Sequence, residues 1–239
     1  MKRHLPNAIT CCNLISGCIA TYNAFEGLYL MALLFIVIGA VFDFFDGMTA
    51  RLLHVSSPIG KELDSLADCI TFGFAPSAII FNFLGRHLAE HSDLFVDSCF
   101  QWVPYLAFIM AAFSALRLAK FNLDERQTTS FIGLPTPANA LFWGSLILWM
   151  SGKEFFEPYI LPTYYIYIVV ALLPLSCWLL VAELPLFALK FKTWGWKGNE
   201  VKYIFLITAV PMLLLLGSLG LAAVIAWYVV LSLFTQKKA

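Results

Sequence analysis

The chain alternates between long apolar stretches and short polar connections. This pattern predicts helices near residues 8–24, 29–53, 59–84, 101–121, 135–151, 160–182, 202–217 and 219–235. Each approaches the roughly 20 residues that a helix needs to cross about 30 Å of hydrocarbon. The longest polar connections, near 85–100 and 183–201, are too short for a soluble catalytic domain. We therefore predict an all-α polytopic membrane protein, a bundle of about eight transmembrane helices that forms a single domain over residues 1–239.

The composition supports a membrane protein. Of the 239 residues, 61% are hydrophobic and 13% are charged, and the mean hydropathy is +0.82. Soluble domains carry roughly 45–50% apolar and about 25% charged residues. The formal net charge is zero, so we expect no nucleic-acid partner. The six cysteines include no C-x-x-C pair, and we interpret them as reduced core residues rather than metal ligands.

The basic residues predict the orientation of the bundle. If the N-terminus is cytoplasmic, only Arg86 and Lys153 fall on the outer side. The inner side then holds the other thirteen: Lys2, Arg3, Arg51, Lys61, Arg117, Lys120, Arg126, Lys190, Lys192, Lys197, Lys202, Lys237 and Lys238. Cytoplasmic loops of membrane proteins carry such an excess of lysine and arginine. We therefore predict a multi-pass protein of the cell (inner) membrane with both termini cytoplasmic.

Four aspartates interrupt this apolar pattern near the cytoplasmic surface. Residues 28–42 are uninterrupted apolar sequence but too short to span alone, so the second helix must continue towards Arg51. At 100° per residue, one sector of roughly 140° on that helix holds Asp43, Asp46, Gly47, Ala50 and Arg51. On the returning helix, a stripe roughly 80° wide holds Gly60, Asp64 and Asp68. The two acidic stripes lie at similar distances from the intervening turn, so they can face each other across a helical hairpin.

Carboxylates that face each other in this way predict a metal site. Four of them at such range cannot all stay ionised without cations, and only Arg51 and Lys61 are nearby. Hard oxygen ligands suit Mg²⁺, Mn²⁺ or Ca²⁺, and four carboxylates are enough for two ions. The small residues beside the acids leave room for a nucleotide or phosphate. The alternative interpretation is that the acids are helix-end charges that face water.

The spacing of these residues resembles a family signature. From Asp43 to Asp68 the chain reads D-x2-D-G-x2-A-R-x8-G-x3-D-x3-D, which resembles the CDP-alcohol phosphatidyltransferases, integral membrane enzymes with helical bundles. The resemblance implies a binuclear metal site built from the four aspartates, at the cytoplasmic side of the bundle. It also implies that Asp68 is the general base for the incoming hydroxyl. The CDP moiety would be held by Gly47, Ala50, Arg51 and Gly60.

Three other segments resemble the phosphatidylserine synthase branch of that family. They are "PNAIT" at 6–10 followed by Asn13, "ALRLAKFN" at 115–122 and "GLPTPANA" at 133–140, with Lys120 where we expect arginine. The resemblance implies transfer of the phosphatidyl group from CDP-diacylglycerol to L-serine, which gives phosphatidylserine and CMP. It also implies that Asn7 and Thr10 contact the nucleotide and that the protein is a homodimer. The helices beyond about residue 160 are almost featureless apolar sequence, which we interpret as scaffold, lipid contact or dimer surface.

The residues that would bind the acceptor leave alternatives open. Arg117 lies one turn before the fourth helix reaches the cytoplasm, where a guanidinium can grip a carboxylate bidentately or instead snorkel to the headgroups. Lys120 and Asn122 are further candidates for acceptor binding, although Asn122 can equally cap a helix end. Asn7 and Thr10 can likewise simply start the first helix. "GLPTPAN" is either a shaped start of the fifth helix or a backbone that lines the acceptor pocket.

Two other functions compete with serine transfer. Transfer to glycerol 3-phosphate or another phosphorylated alcohol would call for more clustered cations than Arg117 and Lys120 provide. A cation transporter would carry acids near mid-membrane, followed by polar residues towards the far side. The outer half of the acidic hairpin, 28–42 and 73–84, offers almost nothing polar. The sequence therefore favours an enzyme whose lipid substrate lies in the bilayer.

Overall fold

A computed structural model describes residues 4–55, 57–90, 98–123, 131–152, 163–187, 195–196 and 199–235. These residues form nine α-helices: α1 Leu5–Phe25, α2 Tyr29–Leu52, α3 Pro58–Asp68, α4 Ala75–Glu90, α5 Ala107–Leu123, α6 Thr136–Ser151, α7 Thr163–Val181, α8 Glu200–Leu215 and α9 Gly220–Thr235. A π-helical segment, Cys69–Phe74, joins α3 to α4, and a 3₁₀ helix, Ser98–Leu106, precedes α5. Two short strands, β1 Phe131–Ile132 and β2 Pro185–Leu186, pair antiparallel.

The predicted all-α polytopic membrane fold is confirmed. Six segments of the described chain are long and apolar enough to cross a membrane: 5–25, 29–52, 58–90, 100–123, 164–181 and 217–235. Helices are present at all eight predicted positions, but α6 and α8 have 16 residues each. At 1.5 Å per residue they extend about 24 Å, less than the hydrocarbon thickness. Six of the eight predicted helices therefore have the length of a membrane span.

Part of the orientation prediction concerns residues outside the described ranges. These basic residues are Lys2, Arg3, Arg126, Lys153, Lys190, Lys192, Lys197, Lys237 and Lys238. The other six basic residues lie within the described ranges. Among them, Arg51 lies in the last turn of α2 and Lys120 in the last turn of α5.

Small residues let the π-helical segment pack closely against α1 and α2. Gly17 on α1 and Gly39 on α2 both face Thr71, and a Cβ at Gly39 would lie 2.5 Å from the Thr71 Cγ2 atom. Thr71 also donates a hydrogen bond from its hydroxyl to the Asn13 carbonyl at 3.0 Å. Small residues allow helix backbones to approach closely in membranes. The segment that follows Asp68 is therefore fixed against the first two helices.

Three hydrogen bonds join α1, α2 and α4 at the other end of the bundle, away from the acidic hairpin. The Asn82 amide of α4 donates to the Phe25 carbonyl at 2.7 Å, and the Tyr29 hydroxyl donates to the Asn82 side-chain oxygen at 2.8 Å. Arg86 donates to the Glu26 carbonyl at 2.7 Å. These bonds satisfy carbonyls at the end of α1, which an α-helix leaves without internal partners. They hold α1, α2 and α4 in register far from the acidic hairpin.

Helix α6 lies in the interior of the bundle and connects its two halves. Trp143 is fully buried and donates its indole N–H to Ser176 on α7 at 2.9 Å. Ser145 accepts a hydrogen bond from the Ala222 backbone N–H of α9 at 3.0 Å. Helices α7 and α9 therefore pack onto the same bundle, and α8 contacts α9 through the hydrogen bond from Trp227 to Thr208 at 2.9 Å. Their role as scaffold or dimer surface stays a prediction.

Candidate active site

The turn between α2 and α3 brings the two acidic stripes together. Helix α2 continues through Asp43 and Asp46, as the sequence predicts. Ser57 caps the start of α3, since its hydroxyl accepts a hydrogen bond from the Gly60 N–H at 3.1 Å, and Pro58 occupies the first helical position. The Ser57 hydroxyl pairs with the Gly60 N–H, and Pro58 has no N–H to leave unpaired. Both residues therefore favour the start of a helix at this position. The chain can therefore reverse within a few residues and return along α2.

The four aspartates lie in one cluster. Asp43, Asp64 and Asp68 each offer a carboxylate oxygen, and these three atoms all lie within 4.8 Å of one another. Asp46 lies three residues after Asp43 on α2, is only 6% exposed and lines the same cavity as Asp64. The predicted convergence of the acidic stripes is therefore present in the structure.

Helix α1 supplies hydrogen bonds to two of these carboxylates. The Thr10 hydroxyl donates to Asp46 Oδ2 at 2.6 Å, and the Asn13 amide donates to Asp68 Oδ1 at 3.1 Å. Both donors are neutral, so they orient the carboxylates without neutralising them. Asn13 is absent from the predicted site. Its position three residues after Thr10, on the same face of α1, is the signal that could have identified it.

The donor set of the cluster fits divalent cations. The Oδ1 atom of Asp64 is buried without a hydrogen-bond partner, and a buried unpaired carboxylate oxygen is costly. Several carboxylate oxygens within a few ångströms of one another are typical ligands of Mg²⁺, Mn²⁺ and Ca²⁺. A bound cation would satisfy the Asp64 oxygen and reduce the repulsion among the four acids. The cluster is thus a candidate metal centre.

A cavity of ≈ 260 Å³ adjoins the cluster. It is lined by Pro6, Asn7, Thr10, Asp46, Gly47, Ala50, Val55, Ser57, Gly60, Lys61 and Asp64. The residues predicted to hold the nucleotide are all in this lining except Arg51. The Arg51 side chain is exposed and donates to the Gly47 carbonyl at 3.0 Å, which places it beside a lining residue. Its contact with CDP stays a prediction.

The two signature glycines in the cavity wall have different surroundings. A Cβ at Gly47 would meet only the Arg51 Nη2 atom, at 4.0 Å. A Cβ at Gly60 would lie 3.0 Å from the Ser57 hydroxyl and 3.1 Å from the Asn7 side-chain oxygen. Gly60 therefore permits the close approach of α1 to α3. Gly47 leaves open space, which a ligand can use.

The three residues predicted to bind the acceptor lie in different surroundings. Arg117 is only 8% exposed, donates to the Thr136 hydroxyl at 3.4 Å, and is close enough to Asp68 for their charges to interact. Its guanidinium thus faces the bundle interior rather than the headgroups. The Asn122 amide donates to Ser65 on α3 at 2.8 Å. Lys120 is exposed. Of the three, Arg117 is the residue that the fold brings next to the cluster.

A cluster of carboxylates beside a cavity, within a bundle of membrane-spanning helices, defines an integral membrane protein with a partly buried acidic site. The profile of the CDP-alcohol phosphatidyltransferase family matches residues 3–182. The chain therefore belongs to the CDP-alcohol phosphatidyltransferase family.

Individual relatives carry a more specific name. Three proteins similar to this chain are each named CDP-diacylglycerol–serine O-phosphatidyltransferase. The Bacillus subtilis (strain 168) protein is 37% identical over 134 residues, which are 56% of this chain and 70% of the relative. The Helicobacter pylori (strain ATCC 700392 / 26695) protein is 32% identical over 154 residues, 64% of this chain and 60% of the relative. The Methanocaldococcus jannaschii protein is 33% identical over 138 residues, 57% of each chain. The matches thus cover between 57% and 70% of these relatives.

Proposed function

We propose that this protein transfers the phosphatidyl group of CDP-diacylglycerol to the hydroxyl of L-serine, giving phosphatidylserine and CMP. The observation that carries the proposal is the four-aspartate cluster that adjoins a cavity lined by the signature glycines. The names of the three relatives support serine as the acceptor. CDP-diacylglycerol lies in the bilayer, where a site between membrane-spanning helices can reach it.

The walls of the cavity suit a nucleotide diphosphate. Gly47 and Gly60 present no side chain, so a ligand can approach the α2 and α3 backbones closely. Asn7 lies against Gly60 and offers an amide to a base or ribose. Thr10 already donates to Asp46, so its position is fixed by the cluster. We infer that CDP occupies this cavity with its phosphates towards the aspartates.

Two divalent cations, Mg²⁺ or Mn²⁺ with Ca²⁺ as a further candidate, would be held by Asp43, Asp46, Asp64 and Asp68. When bound, they would neutralise the pyrophosphate and stabilise the charge on the leaving oxygens. Asp68 accepts the proton of the serine hydroxyl as the serine oxygen bonds to the phosphorus attached to diacylglycerol. The bond from that phosphorus to the bridging oxygen breaks, and CMP leaves with the electron pair. Asn13 orients Asp68 for this step through its hydrogen bond.

We also infer the cellular arrangement. Membrane-spanning helices make the protein multi-pass, and the distribution of lysine and arginine supports cytoplasmic termini in the inner membrane. The resemblance to the family supports a homodimer. Crosslinking of the purified protein in detergent and in lipid vesicles tests the dimer.

The experiment that tests the function is identification of the lipid product. Purified protein is incubated with CDP-diacylglycerol, Mn²⁺ or Mg²⁺ and a panel of alcohols that includes L-serine and glycerol 3-phosphate. Mass spectrometry should find phosphatidylserine as the main product. A phosphatidylglycerol phosphate product would favour the phosphorylated acceptor. The absence of any lipid product would contradict a transferase and leave cation transport as the alternative.

The cavity assignment predicts the effect of Gly47→Ala. The added methyl group meets only Arg51 at 4.0 Å, so the fold should tolerate it, but the methyl group would occupy ligand space. Overpacking typically costs about 1–3 kcal/mol, so the Michaelis constant for CDP-diacylglycerol should rise about 5–150-fold. Steady-state kinetics in mixed micelles measure this. Gly85→Ala on α4, where a Cβ meets nothing within 4 Å, is the control. An unchanged constant for CDP-diacylglycerol would place the nucleotide elsewhere.

The position of Arg117 predicts a selective loss of serine binding in Arg117→Lys. Lysine keeps the charge but loses the bidentate geometry of the guanidinium. Such a contact is worth about 1.5–3 kcal/mol, or on the order of 10–100-fold in serine affinity. The Michaelis constant for CDP-diacylglycerol should change much less. Arg86→Lys, at the far end of α4, serves as the control. Weaker CDP-diacylglycerol binding with serine binding unaltered would instead assign Arg117 to the phosphate.

A further inference from the structure

The buried polar atoms that lack hydrogen-bond partners separate into two groups. Within the described residues these atoms are Asn13 Oδ1, Asp64 Oδ1, Ser114 Oγ, Arg117 Nε and Asn139 Nδ2. The first two are oxygens beside the aspartate cluster, where a cation would satisfy them. The other three can each donate a hydrogen bond. Buried donors without partners are costly, so three on neighbouring helices point to a ligand that accepts hydrogen bonds.

These three donors lie on facing surfaces of α5 and α6. Ser114 precedes Arg117 by three residues on α5, and Thr136 precedes Asn139 by three on α6, so each pair shares a helix face. Arg117 contacts Thr136 at 3.4 Å, which sets the register of the two helices. One turn deeper in the bundle, Ser114 and Asn139 follow on the same faces.

Helix α7 confirms that the two helices run in opposite directions at this place. The Ser176 hydroxyl lies 2.6 Å from Asn139 Oδ1 and 4.0 Å from the sulfur of Met110. Met110 is one turn beyond Ser114 on α5. The residues that precede Arg117 on α5 and those that follow Thr136 on α6 therefore converge on Ser176. Along α5, Ser114 lies between the Arg117 contact with Thr136 and the Met110 contact with Ser176.

The donors are also close to Asp68. Gly73 of the π-helical segment packs against α5, since a Cβ there would lie 3.0 Å from the Ser114 Cβ. Gly73 follows Asp68 by five residues, a little more than one helical turn and roughly 7 Å along the helix. Arg117 is also close enough to Asp68 for their charges to interact. The donor group thus begins beside the proposed general base and continues one turn deeper.

We propose that Ser114, Arg117 and Asn139 form the subsite that binds the carboxylate of the acceptor amino acid. This inference rests on the proposed function. One guanidinium and two neutral donors suit a carboxylate with a single charge, whereas a phosphate monoester would bring about two negative charges. Arg117 can hold a carboxylate near the hydroxyl that Asp68 deprotonates, which suits a short hydroxy amino acid. The subsite therefore selects serine over a phosphorylated alcohol.

Two substitutions test the subsite. Ser114→Ala removes one donor and keeps the Cβ that contacts Gly73. Asn139→Asp keeps the side-chain shape and the oxygen that accepts from Ser176, but it replaces the unpartnered donor with a negatively charged oxygen. With CDP-diacylglycerol saturating, the Michaelis constant for L-serine should rise about 5–10-fold in Ser114→Ala and at least about 100-fold in Asn139→Asp, because like charges repel strongly in a buried site.

Serinol, in which a hydroxymethyl group replaces the carboxylate, separates binding of the carboxylate from a structural role. In both variants, the inhibition constant of serinol in competition with serine should differ from the wild-type value by less than about twofold. The Michaelis constant for CDP-diacylglycerol should also change by less than about twofold. Ser232→Ala on α9 is a matched control, because Ser232 is equally buried but donates to the Tyr228 carbonyl at 2.7 Å. This control should leave all three constants unchanged.

Two results would overturn the subsite. The first is an unchanged serine constant in both variants, and the second is a parallel loss for serine, serinol and CDP-diacylglycerol, which indicates a structural role. Both results presuppose a wild-type protein that makes phosphatidylserine. A wild-type protein that does not use serine would instead contradict the proposed function.

Discussion

Asp68→Asn is expected to lower turnover by at least about 10²–10⁴-fold, the range typical of proton-transfer catalysis. Asp68 belongs to the carboxylate cluster and receives the Asn13 amide at 3.1 Å. Asparagine has the same shape and can still coordinate weakly through its oxygen, but it cannot accept the proton of the serine hydroxyl. Single-turnover CMP release measured with both substrates saturating isolates this step from binding.

Excess Mn²⁺ distinguishes the two roles of Asp68. If Asp68 is the general base, a high Mn²⁺ concentration fills the metal site without restoring turnover. Asn13→Ala provides a comparison, since it removes the hydrogen bond to Asp68 but keeps the carboxylate, and its loss of turnover should be smaller. Recovery of Asp68→Asn by excess Mn²⁺ would reduce Asp68 to a metal ligand.

Asp43→Asn and Asp64→Asn are expected to abolish turnover at ordinary metal concentrations. Their carboxylate oxygens lie within 4.8 Å of each other and of Asp68, so each change removes a charged ligand from a shared centre. Removal of a group that hydrogen-bonds to a metal ligand typically lowers metal affinity by about 10–100-fold. Removal of the ligand itself should lower the metal affinity at least as much. Electron paramagnetic resonance of free Mn²⁺ measures the affinity without any assay of activity. Asp46→Asn should behave similarly.

The matched control for these aspartates is Glu62→Gln. Glu62 lies on α3 two residues before Asp64, but its side chain is exposed, so the change removes one negative charge from the same helix and leaves the cluster complete. Mn²⁺ affinity and turnover should stay near the wild-type values. An aspartate variant that keeps near wild-type turnover at ordinary metal concentrations would exclude that residue from the metal centre.

The aspartate cluster could be predicted because it depends on local regularities. Helical spacing places Asp43 and Asp46 on one face of α2 and Asp64 and Asp68 on one face of α3. The short turn between the helices leaves few ways to arrange these faces. Two helices joined by so short a connection are antiparallel neighbours. The convergence of the four acids therefore follows from spacing and turn length alone.

Contacts between distant helices were harder to predict. The hydrogen bond from Asn13 to Asp68 and the contact of Arg117 with Thr136 depend on how α1, α5 and α6 pack. No periodic pattern in a single helix indicates which neighbour lies opposite a given face. The sequence therefore left open whether Arg117 faces the site or the headgroups. Its burial follows from the position of α5 between the π-helical segment and α7.

The third predicted helix is both longer and less regular than the hydrophobic pattern indicates. Residues 58–90 form one continuous rod instead of ending near residue 84, and the π-helical turn Cys69–Phe74 lies within it. A π-helical turn adds a residue without an apolar or polar signature, so hydrophobic patterns do not reveal it. It directly follows Asp68 and carries Thr71 into the space beside Gly39. This irregular turn therefore contributes to the position of the proposed base.

The most direct test of the account is the release of CMP from CDP-diacylglycerol by the purified wild-type protein, with L-serine and the divalent cation each omitted in turn. CMP and phosphatidylserine should be released together only when both are present. Adding Mn²⁺ or Mg²⁺ back after exhaustive chelation should restore the reaction. Formation of phosphatidylserine that survives exhaustive chelation would contradict the metal centre built from Asp43, Asp46, Asp64 and Asp68.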